Sequence, residues 1–479
     1  MSLEDKLYPL LKVYDSVPSG VKSFLGAAYR MLPEKWKWGE GYSKFKRLNR
    51  ELLDWDEEDI REYQLKQIRS TLLRAQNSCP WYQNAFSQAG FRPEKVISLE
   101  DLAAAPLLEK RDIQEHLEEF VSTEYSASSR LYITTGGSTG VPVGFYLEKG
   151  VSRPKEQAFL EAMWQRVGWQ TGARLVLVRG HVTTQSSSGR IHSYDATRNW
   201  LLMSSAHLTD ERMPEYLERI EAFKPDFLHA YPSAALQIAQ YLERSRQSWR
   251  TPLKALLCGS ERLNLPQKKM LERVFGCQVY RWYGHSERAV LAGEGASTPL
   301  FYFWPTYGYT ELGPPDEEGY QEVIATSFHN HVMPLIRYRT GDYVKVATAD
   351  YPHELPWLAA TEIAGREQEF LVSATGRRIS LTMFNMHDEV FDNLYAVQFY
   401  QKEPGVAEFH YKPTPQFSAS QLDSIRAGVQ KKLGDDFEVS FKAVEETQKT
   451  TRGKHRWLVS ELDLIGEGEQ QENVDKPEK

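Results

Sequence analysis

A predicted loop rich in glycine and hydroxyl side chains, Tyr132–Pro142, is the first stretch of the chain that is suited to binding a ligand. It contains three glycines and three hydroxyl residues: Thr135, Gly136, Gly137, Ser138, Thr139 and Gly140. Glycine lets the backbone adopt positive φ and approach an anion closely, while successive N–H groups and hydroxyls donate hydrogen bonds to it. The composition is typical of a polyphosphate site, although a surface turn would look the same. The spacing matches neither a P-loop, since Val141 follows the last glycine, nor a dinucleotide fingerprint.

A second stretch, Trp282–Glu287, follows a predicted strand. Tyr283 beside Gly284 offers a flat face for a purine, and Glu287 carries the hard oxygen ligands that Mg²⁺ prefers. Taken alone, the stretch is also typical of a strand-to-helix turn with an acidic residue in the first helical turn. His285 fits either a hydrogen-bonded structural histidine or a pocket-lining residue.

Three further turns carry polar or aromatic side chains. Tyr231–Ser233 is an aromatic-proline turn, which suits plain packing and a substrate pocket equally well. Gly259–Glu261 is typical of the approach to a helix, with an early acidic residue. Thr340–Asp342 reads Thr-Gly-Asp and by itself predicts a turn between two strands. None of the three turns identifies a ligand alone.

Strands and helices must position these residues, and their predicted order favours an α/β fold. The predicted strands are 174–178, 227–230, 253–258 and 278–282, and the predicted helices are 213–223, 234–248 and 265–275. Such alternation predicts parallel strands joined by crossover helices. Ligands bind at the carboxyl ends of parallel strands, where three of the turns fall. Towards the C-terminus, the predicted order strand, strand, helix, strand (394–401, 406–411, 422–433, 437–444) indicates a small α+β domain.

Composition restricts the class of protein. The chain has 479 residues, which is enough for at least two domains. Its net charge of −7 does not favour binding to the negatively charged backbone of nucleic acid. Its three cysteines form no Cys-x-x-Cys pair, and no apolar run has the length of a membrane span. We therefore expect a cytoplasmic protein. An aromatic and basic segment between Tyr29 and Arg50 suits a solvated helical face, with peripheral membrane contact as the weaker alternative.

Five motifs of the chain stand in the order found in the adenylate-forming (acyl-CoA synthetase-like) superfamily, which the chain resembles from about Leu131 to Lys454. The first is the glycine-rich loop, and the others are Tyr283–Glu287, Thr340–Asp342, Gly365–Glu369 and Thr451–Lys454. Cys79–Tyr82 and Pro106–Asp112 resemble the phenylacetate-CoA ligase and CapK-like branch. The chain departs from the superfamily pattern at Val143, where many members have lysine, and in lacking the usual proline upstream of Lys454.

The resemblance implies an α/β fold with a large N-terminal domain of mostly parallel sheets flanked by helices, and a small mobile α+β C-terminal domain. The expected boundaries are 1–366 for the ATP- and acid-binding domain, with a helical segment 1–78, and 367–465 for the catalytic-lysine domain. Glu369 stands at the expected hinge. The polar segment 466–479 is predicted to be disordered from its composition.

The resemblance also implies a role for each motif, with ATP and Mg²⁺ as cofactors. Lys454 is the expected catalytic lysine, with Lys449 as the alternative, and Glu287 the expected Mg²⁺ ligand. The remaining expected residues are the phosphate-binding Thr135, Gly136, Gly137, Ser138, Thr139 and Gly140, the adenine- and ribose-binding Gly259, Ser260, Glu261, Tyr283, Asp342 and Arg366, and the substrate-pocket Tyr231, Pro232, Ser233, Gly284 and His285.

The implied reaction is attack of a carboxylate on the α-phosphate of ATP, giving an acyl-adenylate and pyrophosphate. The acyl group then passes to an acceptor, which is the thiol of CoA in the phenylacetate-CoA ligase pattern. A CapK-like ligase of surface-polysaccharide biosynthesis, with an amine, hydroxyl or sugar acceptor, is the alternative. A nucleotide-binding scaffold without catalysis is the alternative of another class. Dimers are common in this branch, so a homodimer is compatible with the resemblance.

Overall fold

The computed structural model describes residues 19–134, 143–180, 191–261, 263–316, 319–364, 370–381, 393–413, 416–448 and 457–462. These residues form two compact units, one containing the described residues up to 364 and the other those from 370 onwards. Each unit has its own sheet.

The larger unit begins with helices and then alternates between strands and helices. Its helices are α1 (Ser19–Met31), α2 (Glu34–Trp38), α3 (Glu40–Glu51), α4 (Glu57–Ser78), α5 (Pro80–Ala89), α6 (Lys110–His116), α7 (Ser152–Gln165), α8 (Met213–Phe223), α9 (Pro232–Arg244) and α10 (Leu265–Phe275). Local sequence explains the bounds of α10. Asn264 and Gln267 form a reciprocal capping box at its start, and Gly276 ends it in the left-handed conformation.

The described residues of the larger unit contain a twelve-stranded sheet and a two-stranded hairpin. The hairpin pairs β1 (Arg130–Thr134) with β2 (Gly144–Glu148). The strands of the large sheet are β3 (Leu175–Val178), β4 (His192–Asp195), β5 (Trp200–Met203), β6 (Phe227–Ala230), β7 (Ala255–Gly259), β8 (Gln278–Gly284), β9 (Leu291–Glu294), β10 (Phe301–Phe303), β11 (Gly308–Leu312), β12 (Gln321–Ser327), β13 (Tyr338–Val346) and β14 (Ala359–Ala364). Their spatial order is β11-β12-β13-β14-β10-β9-β8-β7-β6-β3-β5-β4.

The predicted α/β fold is confirmed, but parallel pairing covers only part of the large sheet. Strands β5, β3, β6, β7 and β8 pair in parallel. From β8 onwards the pairs are antiparallel, as is β4 with β5. The helices α8, α9 and α10 connect the parallel strands, whereas no α-helix lies in the described chain between β8 and β14. Antiparallel strands need no crossover helix, which explains the change of pairing.

Buried side chains cover both faces of the parallel strands. One cluster joins them to α8, α9 and α10 through residues such as Leu228, Leu256 and Ile238. A second, rich in aromatic residues, joins the other face to α3 and α7 through Tyr42 and Phe159. Strands buried on both faces are hydrophobic throughout, which is why their sequences predict strands well.

The smaller unit has its own α+β arrangement, as predicted. It contains the hairpin β15 (Phe370–Val372) with β16 (Arg378–Ser380), and then β17 (Leu394–Glu403), β18 (Val406–Pro413), α11 (Ala419–Leu433), β19 (Glu438–Ala443) and β20 (Leu458–Ser460). The order of the four-stranded sheet is β19-β18-β17-β20. In the part of the chain that the structure describes, no helix is long and apolar enough to cross a membrane.

Candidate functional site

The carboxyl ends of β3, β6, β7 and β8 bring the predicted turns together. Val178 is aligned with Ala230, Ala230 with Cys258, and Cys258 with Arg281, so these four positions form one row across the sheet. The next position on each strand therefore lies at the same edge: Arg179, Tyr231, Gly259 and Trp282. Tyr283 follows immediately. Residues from four separate segments thus meet where an open parallel sheet binds its ligands.

Glu287 is buried just beyond β8 and is held by two side chains. The hydroxyl of Tyr338 donates to its Oε1 at 2.8 Å, and Nδ1 of His285 lies 3.0 Å from its Oε2. Burial alone would raise the pKa of the carboxyl, but His285 and the positive charge of Lys110 lower the pKa to about 2. Glu287 is therefore an ionised, fixed carboxylate at neutral pH.

Lys110 was not singled out as a functional residue from the sequence. The structure positions it through a β-bridge between Leu108 and Tyr338. The Leu108 N–H donates to the Arg337 carbonyl at 3.1 Å, and the Arg339 N–H donates to the Leu108 carbonyl at 2.9 Å. Lys110 is the first residue of α6, where a cation interacts unfavourably with the helix dipole. A lysine at the unfavourable first position of a predicted helix is the sequence feature by which Lys110 could have been singled out.

The turn that carries Glu287 is supported by a buried lysine that no sequence pattern indicated. Lys155 on α7 is 3% exposed, and its Nζ donates to the Arg288 carbonyl at 3.0 Å. The same ammonium lies 3.6 Å from the centroid of the Tyr307 ring. Burial lowers the pKa of Lys155 to about 7. Arg288 itself has a left-handed backbone, with φ of 55°. Lys155 therefore holds the unusual turn immediately after Glu287.

Tyr283 and Asp342, predicted to bind adenine and ribose, are in direct contact. The Tyr283 hydroxyl donates to Asp342 Oδ2 at 2.7 Å. Burial and the Asp342 carboxylate keep the pKa of Tyr283 well above its ordinary value, so the hydroxyl retains its proton. On β13, Gly341 has φ of 72°, and the Asp342 N–H donates to Thr340 Oγ1 at 3.1 Å. The Thr-Gly-Asp segment therefore lies within a strand and presents its carboxylate to β8.

Gly259 packs closely against the neighbouring strand, which explains why a glycine is needed there. A Cβ on Gly259 would lie 2.5 Å from Cε2 of Trp282. Gly284 is also confined, because its Cβ would lie 3.2 Å from Leu291 Cδ1. Both glycines therefore allow tight packing at the edge where the predicted ligands would bind.

Glu261 and Ser233 are engaged with each other. Glu261 accepts hydrogen bonds from the Ser233 N–H at 2.9 Å and from the Ser233 hydroxyl at 3.1 Å. Ser233 follows Pro232 in the first turn of α9, so Glu261 caps that helix. Tyr231, one residue before α9, is buried beneath the side chain of Arg179.

The remaining predicted site residues lie outside the described residues: Thr135, Gly136, Gly137, Ser138, Thr139, Gly140, Arg366, Glu369, Lys449 and Lys454. In the described part of the chain, no group of three or more His, Cys, Asp or Glu side chains could hold a metal ion. Mg²⁺ at phosphate sites needs only one or two carboxylates, because phosphate oxygens and water complete its coordination. The ionised Glu287 carboxylate fits that requirement.

Comparisons with known proteins give the following similarities. No family model matches the chain. Protein CapK of Staphylococcus aureus is 23% identical over 383 residues, covering 77% of this chain and 82% of CapK. The phenylacetate-coenzyme A ligase of Pseudomonas putida is 22% identical, with 65% of this chain and 72% of the ligase covered. A crystal structure of 2-hydroxyisobutyryl-CoA ligase with 2-HIB-AMP and CoA has a TM-score of 0.56 at 18% identity, covering 84% of this chain and 90% of that one.

Proposed function

We infer that this chain, which belongs to the adenylate-forming superfamily in its phenylacetate-CoA ligase and CapK-like branch, activates a carboxylic acid with ATP and transfers the acyl group to an acceptor. A carboxylate oxygen attacks the α-phosphorus, the bond to pyrophosphate breaks, and an acyl-adenylate forms. The acceptor then attacks the acyl carbon and AMP leaves. Membership of this superfamily makes the chain an adenylate-forming ligase; the acid and the acceptor are the proposed parts.

The observation that carries the proposal is that two carboxylates, Glu287 and Asp342, are each held in place by neighbouring side chains near the carboxyl end of β8. Glu287 is ionised and held by His285 and Tyr338, while Asp342 is held by the Tyr283 hydroxyl. An ionised carboxylate accepts O–H donors, which suits Asp342 for the ribose hydroxyls. Glu287 would hold Mg²⁺, whose chemical contribution is to neutralise phosphate charge. The two groups would bind opposite ends of one nucleotide.

Lys110 would supply positive charge on the Glu287 side of the site. Its charge lowers the pKa of Glu287, which shows that the two groups interact electrostatically. Two anions, the substrate carboxylate and ATP, must meet in this reaction, so neutralising their charge lowers the barrier. Val143 stands where many relatives have a lysine. We propose that Lys110 supplies cationic charge to the phosphates in this chain.

We propose that residues 135–140 and 451–454 also take part in the reaction. Thr135, Gly136, Gly137, Ser138 and Thr139 would hold the β- and γ-phosphates, and Arg366 would contact the ribose. Lys454 would bring positive charge to the α-phosphate and the acyl oxygen. A rotation about Glu369 would then withdraw Lys454 and present another face of the smaller unit for the acceptor.

CoA is the proposed acceptor, because the similar proteins include enzymes named as CoA ligases, the phenylacetate-CoA ligases and 2-hydroxyisobutyryl-CoA ligase. The second candidate, which the resemblance to CapK-like proteins implies, is transfer to an amine or hydroxyl in surface-polysaccharide biosynthesis. A requirement for CoA after adenylate formation separates the two candidates.

The test is acid-dependent formation of AMP and pyrophosphate from ATP, with hydroxylamine as the trapping acceptor, across aryl, aliphatic, amino and sugar acids. We expect turnover with at least one acid and its loss in Glu287→Gln and Lys454→Ala. Lys66→Met, an exposed change on α4, is the matched control and should retain activity. Turnover that persists in both site variants would contradict the residue assignments. ATP binding without turnover for any acid would favour the scaffold alternative.

A further inference from the structure

Arg179 crosses the carboxyl edge of the parallel strands. It follows the last residue of β3, and its guanidinium contacts residues of the next two strands in the sheet. Nη1 donates to His229 Nε2 at 3.2 Å, and Nη2 donates to Ser260 Oγ at 2.5 Å. The guanidinium carbon lies 4.4 Å from the centroid of the Tyr231 ring. The side chain therefore extends from β3 over β6 to the end of β7.

Among the described residues, the partners of Arg179 are uncharged: His229, Ser260 and Tyr231. Other partly buried arginines of the large sheet contact carboxylates: Arg281 with Glu294, Arg337 with Glu311 and Arg339 with Glu322. Within the described residues, Arg179 has no such ion pair. Two of the five N–H bonds of its guanidinium donate to His229 and Ser260, and within the described residues the other three donate to no protein atom. A partly buried cation without an anion is costly, and an arriving anion would offset that cost.

His229 fixes the orientation of the guanidinium. It is 6% exposed, and its ring packs edge-on against those of Trp164 and Trp282, with centroid distances of 5.4 Å and 5.0 Å. Burial and the charge of Arg179 lower the pKa of His229 well below its ordinary value, so the imidazole is neutral. Because Nε2 accepts from Arg179, the hydrogen-bond pattern assigns the ring proton to Nδ1. His229 is therefore a rigid, neutral acceptor.

Ser260 holds the other side of the guanidinium through a strained backbone. Its φ is 73°, in the left-handed region that is unfavourable for a residue with a side chain. Strain of this kind persists where surrounding contacts require it, and it is common at ligand sites. Here the conformation directs Oγ of Ser260 towards Arg179.

We propose that Arg179 determines substrate specificity by binding a second anionic group on the acid, and that the substrate is a short dicarboxylic acid. This inference rests on the proposed function. The guanidinium lies at the end of β7, and β8, which leads to Tyr283 and Glu287, is the adjacent strand. Adjacent strands are about 4.8 Å apart, so an acid whose carboxylate is activated at the end of β8 would need only a short carbon chain to reach Arg179 with a second anionic group. One carboxylate is activated and the other pairs with Arg179.

The experiment compares acids matched in length: succinic with butyric, glutaric with valeric, adipic with hexanoic, and phthalic with benzoic acid. For the wild type we expect at least one dicarboxylic acid to have a kcat/KM roughly 10- to 100-fold above its monocarboxylic partner, the range of a charge-assisted bidentate contact. Arg179→Met should abolish the preference and leave the KM for ATP unchanged. Arg179→Lys keeps the charge without the planar fork and should retain part of the preference.

Arg174→Met is the matched control, because Arg174 is exposed just before the opposite end of β3. It should leave the preference unchanged. If instead Arg179→Met raises the KM for ATP equally with every acid, Arg179 binds a nucleotide phosphate and the inference is overturned. Wild-type protein without a dicarboxylate preference also overturns it. Thermal unfolding of each variant checks that the fold is intact.

Binding of the same acids, measured by calorimetry without ATP, distinguishes a failure of this inference from a failure of the proposed function. Tight binding of a dicarboxylic acid that Arg179→Met abolishes, with no AMP formed, supports the anion site and contradicts the ligase assignment. Turnover of monocarboxylic acids with no dicarboxylate binding supports the ligase and overturns the anion site. Absence of dicarboxylate binding in the wild type overturns the anion site whatever the turnover.

Discussion

At the scale of single residues, Glu287 combines two properties that rarely occur together. It is buried, which disfavours a charge, yet the contacts of His285 and the charge of Lys110 keep it ionised. The Tyr338 hydroxyl donates a further hydrogen bond. A carboxylate held in this way needs little reorganisation when a cation arrives, which suits a site that works by electrostatic positioning.

The pH dependence of stability tests this view of Glu287. Its folded-state pKa of about 2 lies below the ordinary 4.5. The resulting stabilisation is fully present above pH 4.5 and is lost as pH falls from 4.5 towards 2, because only the unfolded chain takes up the proton there. In urea unfolding, the quantity to follow from pH 5 downwards is the free energy of the wild type minus that of Glu287→Gln. Below pH 4.5 it should decrease by about 1.4 kcal/mol per pH unit. A difference that stays constant down to pH 3 would contradict the lowered pKa.

At the scale of elements, the side chain of one arginine adds to the backbone pairing that attaches the segment ending in Lys110 to the sheet. Arg337 has a left-handed backbone, with φ of 50°. Its Nη1 donates to the Ala103 and Ala105 carbonyls, each at 2.6 Å, and its Nε donates to Glu311 at 3.0 Å. Arg337 thus joins β11, β13 and the segment before α6, and that segment leads to the candidate site.

We expect Arg337→Met to lower the free energy of unfolding by about 3 kcal/mol, since it leaves the partly buried Glu311 without its counterion and frees two carbonyls. Urea unfolding measures this change. The variant should also be cleaved faster by a protease near residues 103–110, because the segment loses the two hydrogen bonds from Arg337 to the Ala103 and Ala105 carbonyls. The matched control is Arg61→Met, which breaks the exposed pair of Arg61 with Glu100 and should leave both measurements unchanged. Equal effects of the two substitutions would refute the special role of Arg337.

At the scale of the whole molecule, each compact unit has a core of its own. In the smaller unit, Phe409 is 1% exposed, and its ring lies 5.1 Å from that of Phe399 and 5.3 Å from that of Phe441. In the larger unit, Phe159 is fully buried, and its ring lies 5.0 Å from that of Tyr307. Cores built from separate sets of residues can unfold separately.

Calorimetry should therefore resolve two unfolding transitions. Phe409→Ala should destabilise only the transition of the smaller unit, by about 4 kcal/mol, the usual cost of truncating a buried phenylalanine. Phe159→Ala should destabilise only the other transition, by a similar amount. The two variants serve as controls for each other. A single transition lowered by both would show that the units unfold as one.

Local sequence determined the elements of the parallel sheet. The hydrophobic run of β6 and the bounds of α8 and α10 match the predictions, because hydrophobic periodicity and end signals such as Asn264 and Gly276 act over a few neighbouring residues. The predicted turns at Tyr231, Gly259 and Tyr283 meet at one edge because parallel strands align their carboxyl ends. The order of motifs along the chain indicated the superfamily and the reaction.

Tertiary structure alone decided which residues complete the site. Pairing between distant strands leaves no local pattern, so neither the hairpin of β4 with β5 nor the antiparallel extension from β8 to β14 was predicted. Lys110 interacts with Glu287 only because Leu108 pairs with Tyr338. Arg179 meets His229 and Ser260 only because β3, β6 and β7 are neighbours in the sheet. The motifs can therefore be identified from neighbouring residues in the sequence. The positions of charged residues such as Lys110 and Arg179 around them depend on contacts between residues that are far apart in the sequence.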